Sequence, residues 1–182
     1  MAILYKGLDS LRVGDPIHRT GLSVFPLSWP SAADSPYLLL AHAIESNLAV
    51  VEEVSESGSV PNLHLHNKSL RPILIPEGDI LVGAKQNRVV NVTVLVAAKS
   101  TFRLPVSCVE QGRWSYRSAK FSAAKRSLFA SAKAKKMAAV SRSMRDMGSR
   151  RSNQGEVWND ISEKIAFSRA ASQTSAMADA YE

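Results

Sequence analysis

From Arg117 the chain contains neither glycine nor proline until Gly148, and this stretch is rich in Ala, Ser, Lys and Arg. The 116 residues before it follow another pattern: short apolar runs with period-two alternation, separated by Gly, Pro and polar clusters. Period two places successive side chains on opposite faces of a strand, whereas Ala- and Lys-rich sequence favours helix. Strands followed by helices argue for an α+β fold over a βαβ repeat. The expected architecture is an antiparallel β-sandwich-like N-terminal part, or a small barrel, with C-terminal helices packed on it. A β-rich core over 1–116 and a basic helical segment with C-terminal helices over 117–182 are expected to form one domain. At 182 residues and 45% hydrophobic content, the chain can bury one such core.

Within the first part, strands are expected at Gly21 to Leu27, Leu48 to Val54, Val60 to Asn67, Val89 to Val96 and Thr101 to Cys108, with a short helix through Leu39 to Asn47. Ser55 to Gly58 reads as a hairpin-like connection. Parity groups Leu63 with Leu65 and sets His64 and His66 on the other face. It likewise groups Val90, Val92, Val94 and Val96, and Phe102, Leu104, Val106 and Cys108.

Beyond Tyr116, helical spacing yields two stripes a quarter turn apart. Phe121, Ala124, Leu128 and Ala132 form one, and Met137, Val140, Met144 and Met147 the other. One straight helix does not serve both, so a break or a loosely ordered patch is expected near Ser131 to Lys136. A second helix starts at Asn153 with Glu156 in capping-box spacing, and Val157, Trp158, Ile161 and Ile165 line one face. Thr174 to Glu182 reads as a short further helix that needs docking to be stable.

The formal charge of +7 is unevenly distributed. Residues 1–116 hold ten Lys or Arg against ten Asp or Glu, Arg117 to Arg151 hold eleven against Asp146 alone, and 152–182 hold two against five. Electrostatic binding of nucleic acid or an acidic protein is therefore a property of 117–151, weak and salt-sensitive, because no named nucleic-acid motif accompanies the charge. Cys108 is the single cysteine, which excludes an internal disulfide. The start MAILYKGLDS has neither the basic leader nor the apolar stretch of a signal peptide. No apolar run approaches the length of a membrane span. A cytoplasmic location is the expectation from these features.

Two histidines at i and i+2 share a strand face, but no carboxylate follows at metal-ligand spacing, so no metal site is assigned. Cys108 shares parity with core residues and reads as a small hydrophobe rather than a nucleophile. The polar cluster carries more information. Glu77 and Asp79 precede a strand, Lys85, Gln86, Asn87 and Arg88 follow Gly83, and Glu110, Gln111, Arg113 and Trp114 follow Cys108. The parity of Arg88 sets it on the core side, where its charge requires a partner; Glu77, Asp79 and Glu110 are the available carboxylates. Two readings stay open. One is a structural ion-pair network. The other is a pocket in which Lys85, Arg88 and Arg113 receive phosphate or carboxylate, Gln86, Asn87 and Gln111 add directional hydrogen bonds, and Trp114 stacks on a ring. Glu77, Asp79 and Glu110 are then the candidates for catalytic acid or base.

The segments IPEGDILVGAKQNRVVN, PVSCVEQGRWSYRS and NQGEVW, in this order, resemble the ARG and Rhodanese-Phosphatase-superfamily-associated Protein domain, over about Leu22 to Ala180. The resemblance implies, through the association with ADP-ribosylglycohydrolase-like and phosphatase-like domains recorded in the family name, a place in NAD or ADP-ribose metabolism. It assigns no role to any residue and implies no cofactor. Gly78-Asp79 departs from the Gly-Glu pair expected there, and family members tend to continue past the point where this chain ends.

Overall fold

The computed structural model describes residues 10–29, 35–55 and 61–181, which fall into two compact units, one within Met1–Ser35 and one within Pro36–Glu182. The first unit consists of nested two-stranded ribbons. β1 (Arg12–Val13) pairs with β4 (Leu27–Ser28), and β2 (Ile17–Arg19) pairs with β3 (Leu22–Val24). The single strand expected over Gly21 to Leu27 is thus two strands, split where Pro26 removes a backbone donor.

The second unit begins with β5 (Leu38–Leu39) and α1 (Leu40–Glu45), followed by β6 (Ala49–Glu53), β7 (Asn62–Asn67), β8 (Ile73–Ile75) and β9 (Asp79–Gly83). Then come β10 (Arg88–Val90), β11 (Val94–Val96), β12 (Ser100–Cys108) and β13 (Phe121–Ser127). Six strands form an antiparallel sheet in the order β13-β9-β10-β12-β7-β6, and β11-β8-β5 form a smaller sheet in which only the β5–β8 pair is parallel. The edge strands β13 and β6 approach one another, so the six-stranded sheet curls toward closure. Of the hairpin-like connection expected at Ser55 to Gly58, only Ser55 lies within the described residues.

Parity sorts the sheet residues into two cores. Leu63, Leu65, Leu81, Val90, Leu104, Val106 and Phe121 fill the inside of the curl. Ile80, Val89 and Val109, one residue out of step, face the helices. Those helices are α2 (Ala130–Met147) and α3 (Gln154–Ser168), and a short 3-10 helix, Met177–Tyr181, closes the described chain. The fold is α+β and mostly antiparallel, with the helical part C-terminal. Leu104, Val106 and Cys108 are buried as parity requires, and His64 and His66 sit on the opposite, partly open face, where His66 lies 3.2 Å from Glu52 and 2.9 Å from Thr101.

Three expectations are corrected. Phe121–Ser127 is a strand, paired antiparallel with β9, rather than the first turns of a helix. Seven residues, of which only Ala123, Ala124, Lys125 and Arg126 are strong helix formers, gain a few tenths of a kcal/mol each from helix, about 3 kcal/mol at most in sum. A short isolated helix is marginal besides. Pairing with the open edge of β9 and burial of Phe121, itself worth about 2–3 kcal/mol, outweigh that preference. The second correction follows from the first. α2 runs without a break through Ser131 to Lys136, and its single buried stripe is Ala132, Lys136, Ala139, Val140 and Ser143. Met137, Met144 and Met147 are exposed. Third, Val89 to Val96 is not one strand. β10 and β11 belong to different sheets, and the chain turns between them at the buried Asn91, whose side chain bonds to Ser107 and to the Arg150 carbonyl.

Among the described residues no helix is long and apolar enough to cross a membrane.

Candidate functional site

The turn from Gly83 to Asn87 positions the polar cluster. Gly83 has φ +134°, and a Cβ there would lie 2.6 Å from the Ser118 hydroxyl and 2.7 Å from the Lys120 carbonyl, so only glycine fits. Ala84 follows in the left-handed region at φ 42°, a conformation that costs a non-glycine residue about 1 kcal/mol. Its carbonyl accepts from Arg113 Nη1 at 2.6 Å and from the Arg117 amide at 3.0 Å, and its amide donates to Ser118 Oγ at 3.1 Å. The strained residue is held from both sides.

Arg113 is buried and largely saturated. Besides Ala84 it donates to the Ser115 carbonyl at 2.8 Å, to Asn87 Oδ1 at 3.2 Å and to Glu110 Oε2 at 2.6 Å. Glu110, fully buried, also accepts from the Asn87 amide at 3.1 Å and the Thr174 hydroxyl at 3.0 Å. Burial pushes the Glu110 carboxyl up, but the Arg113, Asn87 and Thr174 donors together outweigh it and hold its pKa below the usual carboxylate range. Such a group stays ionised and is no proton donor near neutrality.

Gln86 bridges the two loops, donating to the Glu110 carbonyl at 2.9 Å while its Oε1 accepts from Arg88 Nη1 at 3.2 Å. The Cys108 thiol, directly opposite Arg88 in the ladder, also points at Gln86 Oε1, at 3.1 Å. Burial raises the thiol's pKa, so it is not poised as a thiolate.

Arg88 is completely buried inside the curl, as its parity requires, but its carboxylate partner is none of the three expected. Glu53, on edge strand β6, stands 3.4 Å from its Nη2, and the Trp114 ring lies 5.7 Å from its guanidinium carbon. Curling of the sheet brings β6 there, a closure that local sequence does not announce. Glu77 is engaged elsewhere, by Lys136 at 2.6 Å and Lys133 at 3.4 Å. Asp79 shares that second cluster. Its pKa is raised by burial, against the lowering effect of Lys133. The three candidate acids therefore divide: Glu110 belongs to the loop network, and Glu77 and Asp79 face α2.

The NQGEVW segment belongs to the same construction. Asn153 accepts from the Glu156 amide at 3.4 Å and caps α3. Gln154 then pairs with the backbone of Cys108 like a strand partner, accepting from its amide and donating to its carbonyl, both at 2.8 Å. Gln154→Ala is expected to lower stability by about 1–3 kcal/mol in urea denaturation, because it leaves a part-buried donor and acceptor unmet. A change below 0.5 kcal/mol would show that water replaces the side chain freely. On the other side of the turn, Gly112 lets the tail pass. Its amide donates to Thr174 O at 2.7 Å, and a Cβ would lie 3.0 Å from Thr174 Cα.

Around this buried network lies a more open rim. Lys85 Nζ stands over two rings, 5.5 Å from Trp114 and 5.1 Å from Tyr116, which are 50% and 54% exposed. Tyr116, Arg117 and Glu53 line a cavity of about 580 Å³, while Arg117, Glu110 and Asn87 line a second of about 680 Å³ under the C-terminal tail. Arg117, its guanidinium 4.0 Å from Glu110 Oε1, borders both. Glu53 Oε2 is buried without a hydrogen-bond partner. Gln111 is exposed at the turn. Among the described residues no group of three or more His, Cys, Asp or Glu is placed to hold a metal ion. Sequence reasoning missed Glu53, Tyr116 and Arg117. The signal for the last two lay in the continuation of EQGRW into SYR.

The family model of the ARG and Rhodanese-Phosphatase-superfamily-associated Protein domain matches residues 10–182. The chain belongs to that family. In this member of the family, the segments GAKQNR, SCVEQGRW and NQGEVW, far apart in sequence, meet in one network around Gln86, Cys108 and Glu110. No curated protein and no solved structure matches the chain.

Proposed function

We propose that this domain binds a phosphate-bearing nucleotide metabolite of the ADP-ribose or NAD type at the rim formed by Lys85, Gln111, Trp114, Tyr116 and Arg117. The observation that carries the reading is the Glu53 carboxylate. One of its oxygens is buried and unpaired, and the residue lines a cavity whose other walls include an exposed aromatic ring and an arginine. Leaving such an acceptor unmet costs about 1–3 kcal/mol, which a ribose hydroxyl or an exocyclic amino group would relieve. The half-exposed rings offer faces for a base, and Lys85 and Arg117 supply charge for phosphate. Gln86, Asn87 and Glu110, with the terminal nitrogens of Arg88 and Arg113, make hydrogen bonds within the protein and serve as the scaffold that fixes the rim. The family name, with its association with ADP-ribosylglycohydrolase-like and phosphatase-like domains, supports the choice of ligand class.

In a thermal-shift titration, ADP-ribose or NAD is expected to raise the melting temperature, because a ligand of the native state stabilises it by mass action. Trp114→Ala is expected to weaken binding at least tenfold, as loss of one stacked ring costs about 1–3 kcal/mol. A well-folded protein whose melting temperature responds to neither ligand defeats the proposal.

A further inference from the structure

A separate cavity of about 580 Å³ lies between the link from α2 to α3 and the middle of β12. Three arginines line it: Arg103 from β12 and the consecutive Arg150 and Arg151 from the link. No aspartate or glutamate is among its described lining residues, and none of the three guanidinium groups lies within 4.0 Å of a described carboxylate. In the same stretch Lys133 and Lys136 meet Glu77 and Lys135 meets Asp160, while Lys120, Lys125, Arg126, Arg142 and Arg145, like Arg150 and Arg151, make no ion pair among the described residues. What sets Arg103, Arg150 and Arg151 apart is that the three share one cavity whose described lining holds no carboxylate.

The backbone that presents them is fixed. Buried Asn91 donates to the Arg150 carbonyl at 3.1 Å, buried Ser107 lies 2.5 Å from the Ser152 hydroxyl, and Asn153 is already committed as the cap of α3. Upstream, α2 closes on Gly148, whose amide donates to Met144 O at 3.1 Å, and the Ser149 amide donates to Ser143 O at 3.2 Å. The carbonyl end of a helix carries roughly half a negative charge. That is too little to balance three guanidinium groups, and two of those carbonyls are already bonded. All three side chains are exposed, so solvent screens their repulsion, but an anion held among them gains from each, and arginine forks match the oxygens of phosphate two at a time. Asn62 and Ser149, also lining the cavity, add neutral polar groups.

We infer that Arg103, Arg150 and Arg151 form an anion site for the phosphate or diphosphate group of a small molecule, distinct from the Trp114 rim. The chemistry required is a compact, multiply charged oxyanion. The inference does not depend on the nucleotide reading above.

Calorimetric titration of the full chain with inorganic pyrophosphate tests it, since that probe has no ring to stack. Saturable binding is expected, weakened at least tenfold in R150Q/R151Q and in R103Q, and unchanged in W114A. These side chains make no hydrogen bond or ion pair among the described residues, and the contact of Arg150 with Asn91 runs through its backbone, so thermal melts of the variants should match the parent. Absence of pyrophosphate binding overturns the inference, as does binding that survives R150Q/R151Q or is lost in W114A. It also fails if a uridine oligonucleotide binds through these arginines while pyrophosphate does not, which would make the surface a reader of polyanions.

Discussion

Glu110→Gln is expected to destabilise the chain by about 3–5 kcal/mol, the range for removing one member of a buried ion pair. The carboxylate is fully buried and accepts from a guanidinium, a backbone amide and a hydroxyl at once. Glutamine keeps the shape but has one acceptor oxygen, so its amide group must face at least one of those donors. Arg113 is left buried with its positive charge uncompensated. Urea denaturation at neutral pH measures the loss; Gln111→Ala, at the exposed neighbour, should stay within about 0.5 kcal/mol of the parent. The effect also has a pH signature. The folded pKa of Glu110 is depressed, so the folded state binds fewer protons than the unfolded state in acid. The stability it contributes is complete above the ordinary glutamate range and is lost as pH falls through that range toward the folded value. The gap between parent and E110Q should narrow over the same window. A loss below 1 kcal/mol, or a gap independent of pH in acid, would remove Glu110 from the centre of the network.

The second large effect is expected at Lys136. Its ammonium, on a side chain buried to 2% exposure, sits 2.6 Å from Glu77 and donates to the Val90 carbonyl at 2.8 Å. Burial pulls its pKa below the usual lysine range, against the raising effect of Glu77, so burial disfavours the charged form that the Glu77 contact favours. Lys136→Met is expected to cost about 3 kcal/mol, because Glu77 keeps only the half-exposed Lys133 and the Val90 carbonyl loses one of its two donors, keeping the Gly78 amide. Glu77→Leu combined with Lys136→Met should cost less than the two single changes added, since an apolar pair removes both the attraction and the desolvation. Additive losses in that cycle would show that the two side chains act independently. The pair ties α2 to the segment that enters β9 and to the end of β10.

The position of Arg88 illustrates what parity can and cannot reach. Alternation along RVVNVTV set its guanidinium on the core side, and it is there. Its partner was sought among Glu77, Asp79 and Glu110, the acids of the neighbouring motifs, and is Glu53, thirty-five residues away. Nearness in sequence is a poor guide to partners in a sheet whose last strand returns toward its first. Glu110 illustrates the converse, since its partner Arg113 lies three residues on in the same turn.

Face assignment in β7, β10 and β12, the cap at Asn153, the burial of Cys108 and membership of the family were all legible in the residues themselves. Each depends on local geometry or on a contiguous motif: a side chain's face follows from its parity, and a cap from a few consecutive residues. Only the tertiary structure decided that Phe121–Ser127 is a strand, that Lys136 is inside, and that Glu53 meets Arg88. Propensity differences are small beside the gain from completing a sheet edge or pairing a buried charge, and both gains come from residues that only folding brings together.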